Sequence, residues 1–108
     1  MPAAHSDDLF RCLADPTRRA IFERLCRGGE QTVVALTAVA GVSQPVVSKH
    51  LAQLKQAGLV HDRHQGRNTH YSADARALAP LLEWTTEMTA FWTQRIDALE
   101  DLLRRMDQ

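Results

Sequence analysis

The chain has 108 residues, of which 44% are hydrophobic, and its formal net charge is zero. This length predicts a single domain over residues 1–108 with a modest core, and it leaves too little chain for a deep enzyme cleft with several walls. The sequence contains neither an apolar run of about 18 residues nor a signal-like segment, so we expect a cytoplasmic protein without membrane contact.

The charge is unevenly distributed along the chain. Residues 44–71 carry four Lys and Arg against one Asp and hold four of the five His, whereas residues 72–108 carry four Arg against seven acids. A locally positive segment on a neutral protein is typical of selective nucleic-acid contact.

Two short helices are predicted at the start of the chain. The first is expected to begin at Ser6 as N-cap, with Asp7 and Asp8 in its first turn. Asp15 then serves as the N-cap of the second helix, which ends at 28–29. The second helix opens with three polar residues that either contact a phosphate or form a hydrated N-terminus, and the sequence favours neither: Thr17, Arg18 and Arg19.

The segment of about 32–57 has the pattern of a helix-turn-helix. Thr32 is the expected cap of a short apolar helix, and Gly41 begins a tight turn into a further helix that starts at Ser43 and ends at Gly58. This last helix has an apolar face, formed by Val46, Val47, Leu51, Leu54 and Ala57. Its other face has no carboxylate, which suits approach to a DNA duplex, and comprises Gln44, Ser48, Lys49, His50 and Gln53.

The chain changes period at about 59–72, where two short segments rich in Val, Thr, Tyr and His flank the turn 65–67. This pattern predicts a two-stranded hairpin, which next to a helix-turn-helix forms a winged helix. An ordinary solvated turn is the alternative for its basic residues. Given the upstream helix, we favour DNA contact, most strongly for Arg67 and less for Arg63 and His64.

A long helix is predicted over about 75–106, with Pro80 near its start. Apolar residues recur every three or four positions for about eight turns, which is more apolar surface than one small core uses. The expected partner is the same helix of a second copy, and the alternative is a helix that folds back on its own domain.

Cys12 and Cys26 form no CxxC pair and lie on apolar helical stretches. We expect buried structural thiols at both positions in preference to ligands or redox sensors. The wing histidines at 61, 64 and 70 are expected to be solvated or to face phosphate in preference to binding metal.

Three stretches together resemble the ArsR/SmtB family of bacterial winged-helix repressors: LADPTRRAIFERL, VSQPVVSKHLAQLKQAGLV and RHQGRNTHY. The resemblance runs from about Leu9 to Tyr71. It implies a mainly α winged helix-turn-helix with a small β-hairpin, which forms a homodimer through its terminal helices. It also implies binding to an inverted-repeat DNA operator and repression of transcription, often of the protein's own operon.

The resemblance, together with the surfaces above, assigns two sets of residues. The candidate DNA contacts are Thr17, Arg18, Ser43, Gln44, Ser48, Lys49, His50, Gln53, Arg63 and Arg67. The candidate dimer contacts are Leu9, Leu81, Met88, Phe91, Trp92, Ile96, Leu99 and Leu103.

The sequence departs from the metal-sensing members of that family. Residues 30–36 lack the cysteines of their metal-binding box, and the acids of the last helix have no His beside them, so we expect neither a metal nor a cofactor. No catalytic motif is present, which argues against an enzyme. A winged helix that docks another protein, a sensor that uses Cys12 or Cys26, and an unknown small-molecule effector stay open as alternatives.

Overall fold

Helices dominate the fold, in a computed structural model that describes the backbone of residues 2–107 and the side chains of residues 6–107. The elements are α1 (Pro2–Ala14), α2 (Pro16–Gly28), β1 (Gln31–Thr32), α3 (Val33–Ala40), α4 (Gln44–Gln56), β2 (Val60–Gln65), β3 (Asn68–Ala73), a 3-10 turn (Ala75–Leu78) and α5 (Ala79–Met106). Their order is that of a winged helix-turn-helix, with α3 and α4 as the helix pair and β2 and β3 as the wing.

The start predicted for α1 is wrong. The helix begins at Pro2, so Ser6 lies inside it and the two following aspartates are not in its first turn. Proline suits a first helical turn, and Ala3 and Ala4 have the highest helix propensity, so the helix extends upstream of the expected cap. The boundary between α1 and α2 is confirmed, because the Asp15 carboxylate accepts a hydrogen bond of 2.9 Å from the backbone N–H of Arg18.

The helix-turn-helix boundaries are largely confirmed. Thr32 caps α3 through a 3.1 Å bond from the backbone N–H of Ala35, and Gly41 makes the turn with a φ of 73°. Ser43 has the extended backbone of an N-cap, but its side chain makes no capping bond, contrary to expectation. At the other end Gly58, with a φ of 81°, stops α4, and the N–H of Leu59 reaches back 2.9 Å to a carbonyl in the last turn.

The wing belongs to a sheet of three antiparallel strands in the order β1-β3-β2, not to an isolated hairpin. Gln65 pairs with Asn68, so the turn consists of Gly66 and Arg67, and only the glycine has a positive φ, as in a type II′ turn. β1 was not predicted from the sequence; it pairs Gln31 with Tyr71 and so fastens the wing to the end of α2.

The core lies between α1, α2, α3, α4 and the base of the wing. Its buried side chains are Leu9, Cys12, Ile21, Phe22, Leu25, Leu36, Val47, Leu51, Leu54, Leu59 and Val60. Two expectations fail here. Val46 is 38% exposed, because it lies one residue, about 100° of helix, from the core-facing Val47. Cys26 is exposed for the same reason, since it follows the core-facing Leu25, whereas Cys12 is buried as expected.

Among the described residues, α5 joins this core at its beginning, where Leu81 packs against it beside Leu78 of the preceding 3-10 turn. The ring of Trp84 meets the ring of Phe10 from α1 edge to face, with centroids 5.2 Å apart. Beyond this contact α5 projects away from the core, and it holds no buried residue. Within the part of the chain that the structure describes, no helix is long and apolar enough to cross a membrane.

Candidate nucleic-acid interface

The exposed side of α4 presents polar side chains and no carboxylate. Gln44, Ser48, Lys49 and Gln53 are exposed, and His50 is partly exposed. The side chains of Gln44, Ser48 and Lys49 have no partner among the described residues, so their donors and acceptors are available to a ligand. Val46, which sequence analysis assigned to the core, adds an apolar group to this surface.

Arg18 does not extend into solvent as a phosphate contact would. Its Nε donates to the carbonyl of Cys12 at 2.6 Å and its Nη2 to that of Arg11 at 3.4 Å, both in the last turn of α1. Its Nη1 donates to Oε1 of Gln53 and lies 3.4 Å from Nδ1 of His50, both on α4. This side chain is neither hydrated nor free for a phosphate, because four of its five N–H donors face partners within the chain.

Arg19 has a similar role on the same helix end. Its Nη1 donates to the carbonyl of Leu13 at 2.8 Å. The last carbonyls of a helix lack partners within the helix, and cations are favourable at its negative end. Both arginines of the DPTRR stretch therefore cap α1. The sequence contains a signal for this arrangement, since two Arg follow a helix end closely, and capping of α1 replaces the hydration and phosphate contact that were expected.

Arg63, for which the sequence favours a DNA contact, is paired within the chain. Its Nη2 and Nε donate to the two carboxylate oxygens of Glu30 at 2.6 and 3.2 Å, and its Nη1 donates to Oε1 of Gln65 at 2.8 Å. The bond from Arg63 lowers the pKa of Glu30 below its ordinary value. Because Glu30 lies before β1 and Arg63 lies on β2, this ion pair fastens the wing to the body of the domain.

Further ion pairs brace the base of the wing. Nζ of Lys55 lies 3.0 Å from the carboxylate of Asp62, so this lysine is neutralised. Nε2 of His61 lies 2.8 Å from Oδ2 of Asp74, and Arg76 bonds the same carboxylate. The bonds from Arg76 and His61 hold the pKa of Asp74 far below its ordinary value.

Arg67 is the basic residue of the wing that stays available. It occupies the second position of the exposed turn, and within the described residues its side chain has no partner. The other two histidines of the wing have polar neighbours: Nδ1 of His64 lies 3.1 Å from the Thr69 hydroxyl, and Nδ1 of His70 lies 3.6 Å from Oε1 of Glu30. Over the residues searched, no cluster of three or more His, Cys, Asp or Glu is placed to hold a metal ion.

α5 carries an exposed apolar surface, which we call the α5 stripe. Its most exposed members include Phe91 at 63% and Trp92 at 67%. The other large side chains on it are Leu82, Ile96, Leu99, Leu102, Leu103 and Met106. Of the candidate dimer contacts, Leu81 and Met88 are only partly exposed. The assignment of Leu9 to the dimer surface is wrong, because its side chain is 2% exposed and packs in the core.

The fold and the exposed face of α4 define a winged helix-turn-helix protein. Sequence comparison gives the same class. Residues 13–63 match a family model described as a helix-turn-helix domain. The chain is 41% identical over 97 residues to the HTH-type transcriptional regulator Rv2034 of Mycobacterium tuberculosis, covering 90% of this chain and 87% of that protein. It is 44% identical over 63 residues to the arsenic resistance transcriptional regulator ArsR1 of Pseudomonas putida, covering 58% of this chain and about half, 49%, of that relative.

Solved structures of similar fold belong to the same class of protein. An ArsR-like transcriptional regulator from Rhodococcus sp. RHA1 has a TM-score of 0.75 and 29% identity, with 93% of each chain covered. The homodimeric winged helix-turn-helix DNA-binding domain Mb0332 from Mycobacterium bovis, a possible ArsR-family regulator, has a TM-score of 0.65 and 25% identity over 82% of this chain and 81% of that one. The chain belongs to the ArsR family of helix-turn-helix transcriptional regulators.

Proposed function

We propose that this protein is a homodimeric repressor that binds an inverted-repeat DNA operator, with α4 of each protomer in the major groove and the wing beside it. The observation that carries the proposal is the exposed face of α4, where Gln44, Ser48 and Lys49 have no partner among the described residues and no carboxylate intervenes. Such side chains suit base edges and phosphate oxygens, whereas a carboxylate would be repelled by the duplex.

The expected set of phosphate contacts is smaller than charge alone indicates. Arg63 and Lys55 are neutralised by Glu30 and Asp62, so the cations that remain for DNA near α4 and the wing tip are Lys49 and Arg67. Each phosphate neutralised contributes about −0.9 to the slope of log affinity against log salt concentration. We therefore expect a modest salt dependence set by these two residues on each protomer.

The α5 stripe is proposed as the dimer surface, with a second copy of this chain as its occupant. α5 has 28 residues, roughly 42 Å at the standard helical rise, and none is buried. A continuous apolar surface of this size is unusual on a monomer and marks an interface. The Mb0332 domain, which shares the fold, is homodimeric. Thr85 suits such an interface, because its hydroxyl already donates to the carbonyl of Leu81 at 2.8 Å.

Fluorescence anisotropy tests the proposal. A labelled DNA fragment from upstream of the protein's own gene is titrated against scrambled competitor at several salt concentrations. We expect binding that resists the competitor, and the variant Lys49→Ala should bind more weakly. Gln94→Ala, on the opposite face of α5, serves as the matched control and should bind like the wild type. Equal, weak binding to both DNAs would contradict recognition of this fragment, and selection from random DNA would then show whether any sequence is preferred.

A further inference from the structure

Arg18 is hydrogen-bonded to two different parts of the fold at once. Its Nε and Nη2 are held by the carbonyls of Cys12 and Arg11 at the end of α1. Its Nη1 faces Oε1 of Gln53 and Nδ1 of His50 on the exposed side of α4. The backbone N–H of Arg18 is fixed as well, by the cap of Asp15. The guanidinium is thus anchored on one side and meets two candidate base-reading side chains on the other.

The chemistry of arginine determines what those two side chains show to a ligand. A guanidinium has five N–H donors, carries no acceptor and keeps its charge. The group of Gln53 that faces it must therefore be the carbonyl oxygen, which leaves the amide NH₂ for another partner. By the same reasoning, the nitrogen of His50 that faces Arg18 must be unprotonated. Neutral His50 then carries its proton on Nε2.

We propose that Arg18 is a positioning residue for DNA recognition, which turns His50 and Gln53 into hydrogen-bond donors toward the major groove and so selects base edges that offer acceptors. Guanine presents two acceptors there, N7 and O6, whereas adenine presents one acceptor and one donor. Gln usually binds adenine with both its oxygen and its nitrogen. Gln53 has its oxygen engaged by Arg18, so guanine is favoured over adenine wherever Gln53 meets a base.

This inference rests on the proposed function, because it concerns how the DNA sequence is chosen. It also differs from a phosphate contact by Arg18, which is one of the two alternatives that the sequence leaves open for this residue. A phosphate contact adds to the salt dependence of binding and is insensitive to base identity. A positioning role changes base preference and leaves the salt dependence as it is.

Arg19 provides a matched control for the loss of a capping arginine. It bonds the carbonyl of Leu13 at the same helix end. Within the described residues, the Arg19 side chain makes no hydrogen bond or ion pair with α4. Arg18→Met and Arg19→Met each remove one guanidinium that caps the end of α1. Only Arg18→Met also releases His50 and Gln53.

The experiment is selection from a random double-stranded DNA library with the wild type, Arg18→Met and Arg19→Met. The positions read by α4 are identified with Gln53→Ala and His50→Ala. At the Gln53 position, we expect the wild type and Arg19→Met to prefer guanine over adenine by about tenfold. We expect Arg18→Met, which frees the oxygen of Gln53 to pair with adenine, to reduce that ratio to one or below, with an unchanged salt slope. An unchanged preference in Arg18→Met, or a wild-type preference for adenine there, would overturn the inference.

A second measurement keeps the inference testable if Arg18→Met does not fold. ¹⁵N NMR of the wild-type imidazoles, assigned with His50→Gln, should show Nδ1 of His50 unprotonated and Nε2 protonated above neutral pH. The opposite tautomer would overturn the inference. Failure of the proposed function has a different result, because the wild type would then select no sequence at all from the library, and the inference would fall with it.

Discussion

The two helices on which the proposed function depends, α4 and α5, both have a regular apolar stripe, but the core covers only the stripe of α4. In α4, Val47, Leu51 and Leu54 are each 0% exposed and form the centre of the core. In α5, no residue is buried, and Trp92 on its stripe is 67% exposed. Periodicity thus identifies which face of a helix is apolar, but the rest of the chain decides whether that face is covered.

Because one stripe is covered and the other is exposed, we propose different functions for the two helices. α4 uses the domain as its support, so its polar face is held firmly at the surface. Among the described residues, α5 packs against its own chain near its start, through Leu81 and the contact between Trp84 and Phe10. Our account therefore assigns DNA recognition to α4 and assembly to α5.

Truncation of the α4 stripe should cost far more stability than truncation of the α5 stripe. Leu51→Ala leaves a cavity in the core and should lower the free energy of unfolding by about 2–5 kcal/mol. Leu99→Ala, at an exposed position, should change it by less than about 0.5 kcal/mol. Both are measured by urea denaturation in a chain that also carries Trp92→Glu, so that dimer dissociation does not contribute. Similar losses from both substitutions would contradict the comparison.

A charge placed on the α5 stripe should dissociate the dimer. Trp92→Glu buries a carboxylate in the proposed interface and should weaken dimerisation by on the order of 2 kcal/mol or more, roughly 30-fold in the dissociation constant. Light scattering measures the change across a concentration series. Gln94→Glu adds the same charge on the polar face of α5 and should leave the dimer intact. If Trp92→Glu stays dimeric, the stripe is not the interface.

Substitutions on the exposed face of α4 should alter recognition and leave assembly unchanged. Gln44→Ala and Ser48→Ala should each lose roughly 1–3 kcal/mol of binding and relax base preference at one operator position. Competition binding against operators with single base changes measures this preference. Retention of the full preference by Gln44→Ala would show that this side chain does not contact a base.

The wing should contribute affinity without base preference. Arg67→Ala should weaken binding to all sequences and make the salt slope shallower by about 0.9 for each phosphate that the arginine neutralises in the wild type. Arg63→Ala removes a cation of the same wing that is already paired with Glu30. Its salt slope should stay close to that of the wild type, and an equal decrease in both variants would mean that Arg63 contacts DNA as well.

The smallest expected effect is the pH dependence of the pair that fastens the wing. The pKa of Glu30 is lowered from its ordinary value of 4.5 by the hydrogen bond from Arg63. A carboxyl group with a depressed pKa stabilises the fold above its ordinary pKa, and this contribution is lost as the pH falls below that value. Thermal unfolding followed by circular dichroism from about pH 5 to pH 3 should therefore show a smaller loss of Tm for Glu30→Gln than for the wild type. Identical pH profiles would mean that the pair adds no stability.

Much of the fold was predictable from local signals. The caps at Asp15 and Thr32 and the glycines at 41 and 58 mark helix ends within a few residues of sequence, and the structure confirms each of them. The hairpin was likewise predictable from local sequence, because two strand-like segments flank a short turn. By contrast, β1 has two residues and exists because β3 lies beside it, a tertiary pairing for which the local sequence has no signal.

The candidate site was harder to predict for the same physical reason. Residue type marked Arg18, Arg63 and Lys49 as donors, but only Lys49 is left without a partner within the described chain. The partner of Arg63 is Glu30, 33 residues earlier, and the partner Gln53 of Arg18 is 35 residues later. Pairings over such distances depend on how the helices pack, which the periodicity of each helix leaves open.

Sedimentation velocity of the protein mixed with a labelled, selected DNA operator tests the central claim most directly. Our account predicts two chains on each duplex for the wild type, and loss of that complex at the same concentration for Trp92→Glu. One wild-type chain bound to each duplex, or a Trp92→Glu chain that binds as a single copy with full affinity, would contradict the division of work between α4 and α5.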